Sequence, residues 1–270
     1  MDIKLGADPE LFVKQNGVFR CADGLIKGTK EEPFKVDRGA VQVDGFALEY
    51  NIDPATTEDE WVLNHTTVLK QLKDMVPKHD FAIVPTARFN GNHFRAQRDE
   101  AKELGCEPDY NAYTLCMNPR PDNNTTMRTA AGHVHVGFCE GADINDPAHI
   151  QRCATLVKQL DYYLGLPSLS WDEDINRRQM YGRAGAMRVK TYGVEYRVLS
   201  NAWLVNEERM RFVFRKTKEA VSQLLAGNRP FNSGVSAKYS INRSLRWQSE
   251  QYIKDGMVAG ITIEEVLKCL

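Results

Sequence analysis

The run Gly132-His133-Val134-His135-Val136-Gly137-Phe138 alternates polar and apolar side chains. A β-strand points successive side chains to opposite faces, so His133 and His135 share one face while Val134, Val136 and Phe138 share the other. A single strand histidine is more often structural than a ligand. Two on one face, flanked by glycines that admit a close backbone approach, point to function. Neutral imidazoles suit divalent metals or phosphate oxygens.

Three more stretches repeat the pattern. In Ala47-Leu48-Glu49-Tyr50-Asn51, Glu49 and Asn51 share a face with Leu48 and Tyr50 behind. In Val194-Glu195-Tyr196-Arg197-Val198, Glu195 and Arg197 share a face; the plain alternative is a surface ion pair, which stabilises by only ~0–1 kcal/mol. In Gly6-Ala7-Asp8-Pro9-Glu10-Leu11-Phe12, Glu10 enters a strand, while Asp8, preceding a proline, reads equally as a turn residue or a ligand. Each signal is weak separately. Together they describe a sheet with one face of carboxylates, histidines and arginine, suited to hard cations and phosphates, and one apolar face for helices.

The rest of the chain fits that sheet. Asn16-Gly17 between apolar runs reads as a hairpin turn, and Asp44-Gly45 as a second hairpin or a bulge. Thr57 and Glu60 form a capping box before a helix carrying Trp61, Val68, Leu69, Leu72 and Met75. A strand is expected over 81–89, a short helix over 97–104 ended by Gly105, and a polar loop over 106–129 marked by Pro108, Pro119, Pro121 and Asn123-Asn124. Asp146 and Pro147 open a helix with Ile150, Ala154, Val157, Leu160 and Leu164 on its apolar stripe. Strands at 186–190 and 194–199 follow, then helices at 207–225, near 242–254, and at 264–269 behind a Thr262–Glu265 capping box. Hairpins interspersed with helices, without βαβ alternation, give an α+β fold with a largely antiparallel sheet.

Composition sets outer limits. With 270 residues, 42% hydrophobic, and 35 basic against 36 acidic side chains, the chain is a folded protein with no bulk drive toward nucleic acid or an anionic membrane. Its N-terminus has no apolar signal-peptide core, so the expected compartment is the cytoplasm. The six cysteines, Cys21, Cys106, Cys116, Cys139, Cys153 and Cys269, form no C-x-x-C pair and are expected to be reduced and mostly buried. Arg183 and Arg188, spaced by small residues, place a basic cluster near the 194–199 strand. Arg177 and Arg178, after the acidic run 172–174, read as solvated surface. No phosphate-loop, dinucleotide-fold, serine-elbow or zinc-protease motif is present.

These residues resemble the glutamine-synthetase-like carboxylate–amine ligases, most nearly the compact COOH–NH2 ligase type 2 family of phages. The motifs occur in the family's order. Gly6-Ala-Asp-Pro-Glu10-Leu-Phe is similar to its first metal-binding strand, and Ala47-Leu-Glu49-Tyr-Asn51 to its second. Gly132-His133-Val-His135-Val-Gly137 is similar to its His-x-His strand. Arg183-x4-Arg188 followed by Glu195-Tyr-Arg197 and Asn201-Ala-Trp-Leu is similar to its terminal block. The resemblance implies one glutamine-synthetase-like catalytic domain over 1–270, with a curved sheet and C-terminal helices from about 206 packed on it. It implies an ATP-dependent ligase that forms an amide through an acyl phosphate. It places two or three Mg²⁺ or Mn²⁺ ions on Glu10, Glu49, His133 and Glu195, ATP phosphates on His135, and the phosphoryl group on Arg183, Arg188 and Arg197. Asn51 becomes a nucleotide or substrate contact. The partners implied are small-molecule or peptide carboxylates and amines, in the host cytoplasm of a phage, with homo-oligomers common among relatives. A catalytically silent nucleotide- or partner-binding relative and a metal-dependent phosphohydrolase are the competing readings.

Overall fold

A computed structural model describes residues 3–103, 109–119, 121, 125–230, 236–258 and 260–270. β1 (Lys4–Ala7) stops before Asp8-Pro9, and β2 (Glu10–Gln15) starts directly after. Asn16 and Gly17, at φ 54° and 77°, turn β2 into β3 (Val18–Arg20), supplying the two left-handed residues of a type I′ hairpin. β4 (Phe34–Val36), β5 (Gly39–Asp44) and β6 (Ala47–Ile52) follow. Asp44 pairs with Ala47 across the second expected hairpin, with Gly45 at φ 56° as its first turn residue. Next come α1 (Glu58–Met75), β7 (Asp80–Ala82) and β8 (Thr86–Arg88). The first sheet has the order β3-β2-β6-β5-β4, with β7 on β2.

After the short helices α2 (Gly91–Arg95) and α3 (Asp99–Lys102), the chain forms β9 (Tyr110–Asn111), β10 (Cys116–Met117), β11 (Met127–Thr129) and the histidine strand β12 (Val134–Gly137). α4 (Pro147–Leu160) runs through a π turn at Asp161–Gly165 into α5 (Leu166–Ser168). α6 (Ile175–Met180), β13 (Ala186–Lys190) and β14 (Gly193–Tyr196) precede a 3₁₀ turn at Asn201–Leu204. Helices α7 (Glu207–Leu225), α8 (Ala237–Asn242), α9 (Arg246–Lys254) and α10 (Ile263–Lys268) complete the described chain. The second sheet has the order β1-β12-β14-β13-β9-β10, and β8 pairs with β11 alone. Every strand pairing among the described residues is antiparallel, as expected of α+β.

Helices cover one face. α4 packs on β13 and β14, α1 on β5 and β6, and α7 on both α1 and α4. Beneath them Val134, Val136, Val194, Tyr196 and Val198 are fully buried, the apolar half of the alternation. Gly132 approaches backbone for a structural reason: a Cβ there would lie 2.4 Å from the Trp203 ring nitrogen and 2.5 Å from the Ser200 carbonyl oxygen.

Several expected boundaries move. The strand expected over 81–89 is two strands, β7 and β8, separated at Val84-Pro85 and paired to different partners; proline cannot donate into a ladder. The helix over 97–104 shrinks to α3; Leu104 and Gly105 lie outside the described residues. The expected loop over 106–129 contains β9, β10 and β11, while Cys106, Pro108 and Asn123-Asn124 also lie outside them. The helix near 242–254 is preceded by the separate α8, with Ser244 at φ 50° between α8 and α9. Of the capping boxes, Thr262–Glu265 is reciprocal, but Glu60 accepts from Thr56 instead of Thr57. Of the five described cysteines, all free, Cys21, Cys153 and Cys269 are buried.

Candidate active site

Register, not proximity in sequence, assembles the polar face. Gly6 pairs with His135, His135 with Glu195, and Glu195 with Arg188, so three side chains form a row across four strands. The adjacent row is Lys4, Gly137, Gly193 and Lys190, two lysines with bare backbone between them. In the first sheet Glu10 faces Glu49, and Glu49 faces Gln42. Asp8 stands at the corner where β1 of one sheet hands over to β2 of the other.

Glu195 is the hub. Its Oε1 accepts from Arg197 and lies 3.4 Å from His133 Nδ1. Its Oε2 lies 3.0 Å from Lys190 Nζ and 3.4 Å from Arg188. Arg197 also donates from Nε to the buried Asp109. Asp8 Oδ1 lies 3.2 Å from His133 Nδ1 and 3.1 Å from His135 Nε2. Those contacts are close enough for charge attraction but not aligned as hydrogen bonds, so the buried Asp8 Oδ1 and His135 Nε2 lack hydrogen-bond partners. Glu10 accepts from the Ala131 N–H at 2.9 Å, and Glu49 accepts from Gln42 at 2.8 Å.

The charges are unevenly balanced. Burial and Asp8 act upward on Glu195, but Arg197, His135 and His133 bring it down to about 2. Burial opposes ionisation of Asp8, yet His135 and His133 hold it well below the usual carboxylate range. Burial lowers His135 too, but Asp8 outweighs it and His135 is raised; burial and Arg197 together lower His133. On the other sheet burial, with Asp44 adding to it, pushes Glu10 up to about 7. Burial and the carboxylates of Asp8, Asp44 and Glu10 push Glu49 well above its ordinary value.

Crowded carboxylates that keep protons, beside an acid and an imidazole with unpartnered atoms, are the electrostatics of a cation site. Asp8, His135 and Glu195 present ligand atoms within 4.8 Å of one another, a set that can close on one ion. The donor set, carboxylate oxygens with imidazole, fits a hard or borderline divalent cation. A cation drawn to Glu10 must displace its proton. Because burial lifts Glu10 above the ordinary carboxylate value of 4.5, the metal-free fold loses this group's contribution as pH rises from 4.5 through about 7. Mn²⁺ is therefore expected to bind more tightly, and to raise the melting temperature more, as pH rises from about 6 to about 8, with protons released on binding. A pH-independent Mn²⁺ isotherm over that range would contradict this account.

The cluster opens into a cleft of about 700 Å³ lined by Asp8, Gln42, Glu49, Asn51, His135 and Tyr192, with Lys4, Phe138 and Glu140 also on its walls. Gly6 and Gly137 lie on its lining with room at their Cα positions. Glu10, Glu49, His133, His135, Glu195, Arg188, Arg197 and Asn51 are thus brought to one region. Arg183 goes elsewhere: it donates to the carbonyls of Arg178 and Gln179 at the end of α6.

Arg177 and Arg178 are a correction, since both are buried. Arg177 donates to the Val198 and Leu199 carbonyls, and Arg178 to Gly182 and Val198. They hold the strand end beyond β14, where carbonyls leave the ladder. Asp109, Lys190, Tyr192 and Gln42 join the site in the folded structure without a motif that marks them in the sequence. Lys190 carried a signal, since it sits two residues from Arg188 on the same strand face; Gln42 becomes a partner of Glu49 only through register.

Residues 114–240, just under half of the chain, match the model of a family described as phage phiEco32-like COOH.NH2 ligase-type 2. The matched segment carries His133, His135, Arg188, Glu195 and Arg197 but not Glu10 or Glu49. Among curated proteins no sequence matches. Among solved structures the chain is similar to a bifunctional glutathione synthetase from Pasteurella multocida, at 10% identity and a TM-score of 0.41. The likeness covers 99% of this chain and 46% of that one, so the chain spans about half of its length. No helix among the described residues is long and apolar enough to cross a membrane.

Proposed function

We propose that the chain is a carboxylate–amine ligase of the phage COOH–NH2 type 2 kind, with one glutamine-synthetase-like catalytic domain over residues 1–270, and that it forms an amide at the cost of ATP. The observation that carries this reading is the row His135–Glu195–Arg188, with Arg197 beside it, inside the segment that matches the ligase family, and with Asp8 brought against it from outside that segment. A cation-binding cluster rimmed by half-exposed cationic side chains suits a polyphosphate bound through metal.

The chemistry needs such a site. A carboxylate is a poor electrophile, and hydroxide is a poor leaving group. A carboxylate oxygen attacks the γ-phosphorus of ATP, the bond to the β-phosphate oxygen breaks, and ADP leaves with that electron pair. An amine then attacks the acyl phosphate carbon, the carbon–oxygen bond breaks, phosphate departs and the nitrogen gives up a proton. Mg²⁺ or Mn²⁺ ions held by Asp8, His135, Glu195 and His133, and by Glu10 with Glu49, would neutralise the charge on the transferring phosphoryl group.

The protein's own groups divide the rest. Arg188 and Lys190, with side chains 33% and 29% exposed, sit against Glu195 Oε2 and are free enough to turn toward a phosphoryl oxygen. Arg197 is buried between Asp109 and Glu195, so its role is to fix Glu195 and to balance its charge. Asn51 offers a neutral polar contact to substrate on the cleft wall. Arg183 receives no chemical role.

The test supplies Mg-ATP with carboxylates and amines and follows ADP. ADP formed only when both substrates are present supports the ligase. ADP formed without either supports a phosphohydrolase, and nucleotide binding without turnover supports a silent relative. With an ¹⁸O-labelled carboxylate, acyl phosphate chemistry carries one label into the released phosphate; unlabelled phosphate would rule that intermediate out.

A further inference from the structure

β13 and β14 are joined by two residues, Thr191 and Tyr192. The turn is pinned, because the Tyr192 carbonyl accepts from the backbone N–H groups of Phe138 at 2.9 Å and Cys139 at 3.1 Å. The phenol folds back over the cleft. Its hydroxyl is hydrogen-bonded to His135 Nδ1, and the two rings are stacked at 6.1 Å with an interplanar angle of 29°. Glycines at 137 and 193 leave the neighbouring row without side chains between Lys4 and Lys190. The other ring nitrogen, Nε2, points at Asp8 and is one of the two unpartnered buried atoms of the cluster.

We propose that Tyr192 is a positioning residue for His135: its hydroxyl accepts a hydrogen bond from Nδ1–H, which locks the ring and presents the Nε2 lone pair to a divalent cation shared with Asp8 and Glu195. An imidazole ligand must be unprotonated at the coordinating nitrogen, and an acceptor on the opposite nitrogen selects that tautomer. The turn is short and held by the backbone N–H groups of Phe138, Cys139 and Ala142, so this partner is built into the hairpin. The inference rests on the metal-binding reading of the cluster, not on the ligase reaction.

Mn²⁺ binding, followed by the magnetic resonance signal of the free ion, tests it without nucleotide or substrate. Tyr192→Phe removes one oxygen and keeps the ring. It is expected to weaken Mn²⁺ binding roughly 10–100-fold, as loss of an outer-shell partner does. In a His135→Ala background the same change should have no further effect. In the Mg²⁺-loaded wild type, ¹⁵N shifts should show His135 protonated at Nδ1. Unchanged Mn²⁺ affinity in Tyr192→Phe, additive losses in the double variant, or a proton on Nε2 in the loaded protein would each overturn the assignment. A wild type that binds no Mn²⁺ removes the metal reading and this inference together. A protein that binds Mn²⁺ but ligates nothing leaves the inference standing and removes only the ligase.

Discussion

Replacing Glu195 by glutamine is expected to lower kcat/KM for ADP formation by on the order of 10³-fold or more, the scale at which a group that organises transition-state charge is lost. Glu195 is fully buried and receives Arg197 on one oxygen, with Lys190 and Arg188 close to the other. Held at about 2, it is ionised at any working pH. Glutamine keeps the volume but carries no charge and offers one acceptor, so it can neither anchor a cation with Asp8 and His135 nor balance three cationic side chains. The variant should fold, because Asp109 still pairs with the buried Arg197, and Arg188 and Lys190 can turn toward water. The expected signature is therefore near-native secondary structure and melting with lost Mn²⁺ affinity and lost ADP formation. Turnover within tenfold of wild type would remove Glu195 from the reaction centre. Unfolding would show that its weight is structural.

The histidine strand was legible because period-two alternation is a local property: residues 132–138 state which side chains share a face without reference to any other part of the chain. The same holds for Glu49 with Asn51 and for Glu195 with Arg197. Register is not local. That Glu10 faces Glu49, and that His135, Glu195 and Arg188 form one row, depends on which strands pair and at what offset. Asp8 was ambiguous because a residue before proline is a turn former by default, and here the turn is itself the corner that carries the ligand atom into the site. Asp109 meets Arg197 across 88 residues, which no spacing rule can reach. Pro85 did carry a readable signal, since a proline inside a paired strand argues against continuity.

Arg178 shows the opposite failure, and its replacement should be the largest stability effect outside the site. Arg178→Met is expected to destabilise the fold by ~3–5 kcal/mol, the range for leaving one member of a buried ion pair unpaired. In a chain of this size that lowers the melting temperature on the order of 10 °C. Residues 172–183 look hydrophilic, and a run of acids followed by two arginines is ordinarily a solvated face; there the same change would cost no more than ~0.5 kcal/mol. The fold instead buries Arg178 at 2% exposure, with Asp172 at 3% beside it. Arg178 lies 3.3 Å from Asp172 and donates to the Gly182 carbonyl at 2.7 Å and to that of Val198. Methionine fills most of the volume but leaves a buried carboxylate without its cation and takes the donor from the Gly182 carbonyl, while that of Val198 keeps Arg177. The double variant Arg178→Met with Asp172→Leu should recover part of the loss, because a whole buried pair replaced by apolar side chains no longer strands a charge. Urea unfolding of the two single variants and the double yields the coupling energy between them. A coupling near zero, or a midpoint for Arg178→Met equal to wild type, would place Arg178 back on the solvated surface that its sequence neighbours suggest.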